Sequence, residues 1–303
     1  MHPLVFVLVA GAAVLHVTWN VLLKTAGDPL RAAAVGMVTA AALVCPIALV
    51  TWLVTGRPAI GPETLALSVL SGLLEALYFA FLASAYRRGD LSLVYPLARG
   101  SAPLLSVAIG VLLLKERLGP VGYLGVAALL TGILVLQRPW QYLTAAGRAS
   151  GGAAGFALLT GITIASYSAV DRVGVRGTTP LLYAGLIWAS CSVFLWAYVV
   201  VYRRRAARLA AGAPPEPGVD IVPFSSRRAG IGGLITLGAY LLILVAFSVA
   251  PLTAVAPLRE SAIVLASGWG AFRLREAADR GDALRRIGAA VMVLGGALLL
   301  AID

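Results

Sequence analysis

The sequence predicts an all-α integral membrane protein, ten transmembrane helices arranged as two inverted five-helix repeats. Three observations carry this expectation. Of 303 residues, 60% are apolar and only 12% are charged, against about a quarter charged in an ordinary soluble domain. The apolar residues come in runs of about 20, long enough to cross a hydrocarbon core roughly 30 Å thick at about 1.5 Å per helical residue. The second half of the chain also repeats the polar landmarks of the first.

Runs broken by Gly, Pro and charge mark ten spans, at residues 3–25, 30–54, 64–86, 91–114, 119–137, 152–171, 180–202, 229–249, 252–272 and 283–302. The first is kept as a span rather than a secretory signal, because it lacks a basic start and His16, Trp19 and Asn20 interrupt its core. Two connections are longer than the rest. Residues 138–151 form a linker at the midpoint, dividing a first repeat, 1–137, from a second, 152–303; residues 203–228 form a loop in which Pro214, Pro215, Pro217 and Pro223 forbid a continuous helix.

The repeat shows in register. Leu91-Ser-Leu-Val-Tyr-Pro-Leu lines up with Leu252-Thr-Ala-Val-Ala-Pro-Leu, pairing Pro96 with Pro257. Lys115-Glu116 lines up with Arg275-Glu276, and Gly125 and Gly132 line up with Gly288 and Gly295, glycines expected to let helices approach closely. Thr18-Trp19-Asn20 and Lys24 match Ser166-Tyr167-Ser168 and Arg172 more loosely. Because five is odd, the second copy enters the membrane from the opposite side, an arrangement that implies alternating access around a midplane site.

Several function classes drop out. The net charge of +11 suggests nucleic acid, but the arginines gather in short loops between apolar runs instead of on one soluble face, so no nucleic-acid partner is expected. Cys45 and Cys191 lie inside apolar runs, and with two histidines in the chain they make neither a disulfide framework nor a metal site. No Gly-x-x-x-x-Gly-Lys-Ser/Thr run provides for ATP. No cofactor is expected.

Two five-span halves, a proline early in the fourth span of each, and Lys115-Glu116-Arg117-Leu118-Gly119 followed by Gly125 and Gly132 resemble the drug/metabolite transporter superfamily, specifically its EamA-type members. The resemblance covers nearly the whole chain. His16-Val17-Thr18-Trp19-Asn20 through Lys24 also resembles a subgroup with a His-x-x-Trp-Asn first span. What the family implies is secondary export or exchange of small metabolites, amino acids and related zwitterions among them, by a multi-pass protein of a bacterial inner membrane, monomeric or dimeric.

Charge gives an orientation. Setting Arg99 and Arg259 aside from the 24 Lys and Arg leaves 22, of which 17 fall in odd-numbered loops and five in even-numbered ones. The positive-inside rule then places odd loops in the cytoplasm and both termini outside.

An ionisable side chain at the bilayer centre costs about 2.5 to 3.5 kcal/mol on insertion scales, so each needs a partner or a task. Four stand out: Glu75, Arg99, Arg259 and Glu260. Glu75 lies about 16 Å into the third span, with Tyr78 on its face, and Arg99 and Arg259 lie roughly 11 to 12 Å deep from opposite surfaces, so all can meet at the midplane. Tyr95 shares a stripe with Arg99, while His16 and Asn20 with Lys24, and Thr163 and Tyr167 with Asp171, recur at intervals of four. Trp19 belongs to the first of these segments, and Trp188 and Tyr240 supply an aromatic wall. Lys115-Glu116-Arg117 reads as a solvated interfacial loop that caps a helix. A structural reading pairs Glu75 with Arg99 and Glu260 with Arg259.

These residues suit a transporter of a small polar or zwitterionic metabolite such as an amino acid or phosphonate: an arginine fork holds a carboxylate or phosphonate, a carboxylate holds an ammonium. Arg99 is the expected anion anchor, and Glu75 is alternatively the carrier of a coupling proton. A flippase for an anionic lipid-linked group is the second transport reading, with membrane lipid as partner. An intramembrane enzyme would need a nucleophile with an oriented base, and none is visible.

Overall fold

In the computed structural model, residues 3–24, 28–88, 91–138, 152–210, 224–269 and 280–303 are described, and among them stand ten α-helices and one 3-10 turn. We number the helices α1 Pro3–Lys24, α2 Pro29–Val54, α3 Pro62–Tyr86, α4 Leu91–Leu112, α5 Pro120–Gln137, α6 Ala153–Gly174, α7 Pro180–Ala210, α8 Ser226–Val249, α9 Leu252–Trp269 and α10 Arg280–Ile302. One helix stands at each expected span. The long loop expected over 203–228 is trimmed from both ends, since α7 continues to Ala210 and α8 begins at Ser226. The prolines of that loop, the linker beyond Arg138, and Arg275-Glu276 lie outside the described residues.

Proline opens α1, α2, α3, α5 and α7, where its missing N–H is an orphan in any case and its fixed φ suits the first turn. Asp28 caps α2, accepting from the Leu30 and Arg31 amides at 3.1 Å each, and Ser225 caps α8 by accepting from Arg228 N. Five helical stretches, Pro29–Val54, Pro62–Ala85, Ala153–Gly177, Pro180–Arg205 and Ser226–Val249, are long and apolar enough to cross a membrane. Their outward surfaces carry Val50, Val54, Val69, Val193 and Val249 exposed, which in water would be a liability and in lipid is the expected coat.

The two halves interleave. The first half's α1 packs on α8 and its α3 on α6; α2 packs on α7, α4 on α9 and α5 on α10. Replacing each helix by the one five places on turns this set of pairs into itself. The self-mapping pair α4–α9 runs antiparallel: Arg99 meets Glu260 while Gly110 lies by Thr253, eleven residues later on α4 and seven earlier on α9.

Small residues set the closest crossings. A Cβ on Gly125 would stand 2.8 Å from the Gly296 carbonyl oxygen, and one on Gly132 would stand 2.8 Å from that of Ala289, so α5 and α10 touch backbone to backbone. The expected counterparts Gly288 and Gly295 do not share this duty: a Cβ on either meets nothing within 4 Å. One residue turns the helix by about 100°, and it is Gly296 that faces α5.

Candidate functional site

Six aromatic rings form a continuous chain through the middle of the bundle. Trp19 lies 6.0 Å from Phe79, Phe79 lies 4.8 Å from Tyr78, and Tyr78 lies 6.2 Å from Tyr167. Tyr167 is 5.9 Å from Tyr240, which is 5.6 Å from Trp188. These centroid separations fall in the range of attractive edge-to-face and offset pairs. All six rings line one cavity of about 590 Å³ of empty space, counted out to its mouth, together with His16, Glu75, Arg99 and Arg259. Helices α1, α2, α3, α4, α6, α7, α8 and α9 each contribute.

The charges pair as expected at Arg259 and Glu260 but not at Glu75 and Arg99. Arg99 donates through Nη1 to both Glu260 oxygens, at 2.8 and 3.0 Å, and Arg259 donates to the same carboxylate through Nε at 3.2 Å. Glu260, 1% exposed, therefore stands behind the cavity wall as the shared counter-ion of two arginines. Arg99 Nη2 meets His16 Nε2, and Arg259 Nη1 reaches Ser168 Oγ at 3.4 Å. Glu75, on the cavity wall, has neither a hydrogen bond nor a salt bridge to a described residue. The anticipated Glu75–Arg99 pair is replaced because Glu260, the residue at the position of α9 equivalent to Arg99 of α4, faces Arg99 directly across the antiparallel crossing.

Of the residues singled out in the sequence, the structure brings His16, Trp19, Glu75, Tyr78, Arg99, Tyr167, Trp188, Tyr240 and Arg259 onto one wall. Glu260 touches it only through the arginines. The side chains of Asn20 and Tyr95 lie outside the described residues. Sequence reasoning missed Phe79, Met37 and Thr236 on the wall, where nothing distinguishes them from ordinary packing residues. It also passed over Asp171 as more than a stripe member, although this carboxylate is fully buried and accepts from the hydroxyls of Tyr183, at 3.2 Å, and Tyr240.

One end of the bundle is tied shut. Glu116, in the loop between α4 and α5, accepts from the Leu252 and Thr253 amides at 2.8 and 3.0 Å and so caps α9; its Oε1 also accepts from Arg172 Nε at 3.2 Å. Arg172, at the end of α6, donates as well to the Phe247 carbonyl near the end of α8. The loop is thus a helix cap, as its sequence suggested, but its carboxylate is not solvated: the Glu116 side chain is 10% exposed. Phe247 lies seven residues, about 10 Å of helix rise, beyond the cavity residue Tyr240. Toward the other end a second, smaller cavity shares Trp19, Met37 and Thr236 with the first and runs along α2 and α8 to Arg228.

A charged, aromatic-walled cavity thus stands at the centre of a bundle of apolar helices tied at one end. Residues 4–138 match the model of the EamA-like transporter family, a family of the drug/metabolite transporter superfamily. A solved crystal structure of a protein superposes with a TM-score of 0.66 at 18% identity, covering 98% of each chain, a likeness of fold. Among curated proteins no match is found.

Proposed function

We propose that the chain is a secondary transporter that moves a small amine-bearing solute, cationic or zwitterionic, by alternately exposing the central cavity, its two five-helix halves being an inverted repeat. The observation that carries this reading is the inequality of the charges. Both arginines already share Glu260, whereas Glu75 faces a cavity walled by six aromatic rings and has no salt bridge to a described residue. A carboxylate inside aromatic walls attracts an ammonium by charge and by the ring quadrupoles together. Trp188 adds an indole N–H that is buried without a partner. A lost donor of this kind costs about 1 to 3 kcal/mol, and an oxygen of a zwitterionic solute would satisfy it.

The self-mapping helix pairs and the antiparallel α4–α9 crossing support the inverted repeat. Under the positive-inside orientation the second cavity leads to the cytoplasm, and the Glu116 ties close the outer end.

The test is a thermal-shift screen of purified protein with amino acids, organic amines, phosphonates and a short-chain phospholipid. An amine-bearing solute at 100 times its Kd should add about 2.7 kcal/mol to stability, and Glu75→Gln should erase that gain. Stabilisation by phosphonates or lipid alone, unchanged in Glu75→Gln, would overturn the reading.

A further inference from the structure

Asp171 is the buried group that the solute site leaves unused. It is 0% exposed, on α6, yet its carboxylate forms no salt bridge to a described residue. The next residue, Arg172, turns away to Glu116 and Phe247 O, and Arg259 is held by Glu260 and Ser168. What faces Asp171 is neutral or acidic: the Tyr183 hydroxyl from α7, the Tyr240 hydroxyl from α8, the Ser71 hydroxyl from α3 and, further off, Glu75 from α3, with the charge of Arg259 on α9 acting from beyond them. Ion-pair partners normally accompany a carboxylate kept inside a membrane protein, and one without them marks a proton or ion path.

We propose that Asp171 is the proton-binding site of this transporter, loaded from the cavity through the hydroxyl of Tyr240. Tyr240 joins the two places, since its ring lines the cavity and its hydroxyl hydrogen-bonds to Asp171 Oδ2. The transfer balances without any further reactant: a cavity water gives a proton to Tyr240 Oη as the hydroxyl's own proton passes to Oδ2, leaving a neutral tyrosine, a protonated Asp171 and a hydroxide that the bulk neutralises. Rotation of the Tyr240 hydroxyl then resets the path.

The charge arrangement explains why such a proton would be coupled to the solute. With Arg172 balanced by Glu116, Arg99 and Arg259 bring two positive charges to the cavity and the wall behind it, and Glu75, Asp171 and Glu260 bring three negative ones. In a low-dielectric interior one excess charge demands one counter-charge. An ammonium at Glu75 supplies it, and so does a proton at Asp171; the two compete, which is the condition for exchange of solute against proton. The inference rests on the reading of the chain as a secondary transporter, but its test needs no solute.

The protein in nanodiscs is titrated from alkaline to acid under infrared difference spectroscopy, unlabelled and with carbon-13 aspartate. The expected result is a protonated carboxyl band that grows on acidification, moves with the aspartate label, is lost in Asp171→Asn and persists in Glu75→Gln. Tyr240→Phe should shift that band, because the hydroxyl bonded to Oδ2 is gone. Absence of any titrating aspartate band, or its survival in Asp171→Asn, overturns the proposal. If Asp171→Asn does not fold, the labelled wild type together with Tyr240→Phe decides: a titrating aspartate band unmoved by Tyr240→Phe also overturns it. A band that behaves as expected in a protein that no amine stabilises keeps the proton site and rejects the solute reading.

Discussion

Replacing Glu116 by glutamine should open the end of the bundle that its carboxylate now ties. The side chain keeps its shape and length, so the change is confined to charge and donor pattern. Of the three bonds that Glu116 accepts, the amide oxygen can retain those at Oε1, while the new NH2 faces the Thr253 amide and turns one bond into a donor–donor contact. A hydrogen bond to a charged group contributes about 1.5 to 3 kcal/mol, and the lost charge at the α9 N-terminus another 0.3 to 1, roughly. Taking a net loss of about 2 kcal/mol, the equilibrium moves roughly 30-fold, so that an open state present at about 1% rises to roughly a fifth of the molecules. The assay is labelling of a cysteine placed at Ala239, on the cavity wall, in a background with Cys45 and Cys191 replaced by alanine, using an impermeant maleimide from the α4–α5 loop side. Labelling should quicken in step with the open fraction, roughly 20-fold. An unchanged rate beside a lowered melting temperature would show that the loop is a passive cap and that opening occurs elsewhere.

Arg99→Gln leaves Glu260 with half its counter-charge inside the bundle and should lower stability by about 3 to 5 kcal/mol in a denaturation experiment; a melting temperature that stays put while transport is lost would instead restore Arg99 as the solute's anion anchor. Gly125→Ala should destabilise by about 1 to 3 kcal/mol, because its Cβ would stand 2.8 Å from Gly296 O, whereas Gly288→Ala, with open space around it, should be neutral or gain about 0.5 to 1 kcal/mol; equal melting curves would deny the close α5–α10 contact. A cysteine at exposed Arg57 should react with an impermeant reagent on intact cells and one at exposed Ser226 should not, and the reverse pattern would invert the orientation.

The helices were legible in the sequence because membrane crossing needs a length of apolar residues, a property of composition along the chain that needs no knowledge of neighbours. That Glu75, Arg99 and Arg259 come to one cavity was legible from their similar distances along their spans. Pairing was not. Whether Arg99 finds Glu75 or Glu260 depends on helix rotation and crossing, and the 161 residues between Arg99 and Glu260 carry no local trace of their contact. Glu116 looked solvated because its flanks are Lys115 and Arg117, while its partners Arg172 and Leu252 stand 56 and 136 positions away. The signal that could have found it is the repeat, which marks Lys115-Glu116 and Arg172 alike as positions with counterparts.

The Arg99–Glu260 pair has a consequence for ancestry. In the repeat register that matches Pro96 with Pro257, these two residues occupy the same position of their respective halves, and they touch. Two identical five-helix chains assembled about such an axis would be forced to set like against like there, arginine against arginine or glutamate against glutamate, and like charges held together in the bilayer repel. Two copies that diverge in sequence release each position to change alone. An opposite-charge pair at this position is therefore a contact that two identical halves cannot form, and it makes the two halves of this chain non-interchangeable.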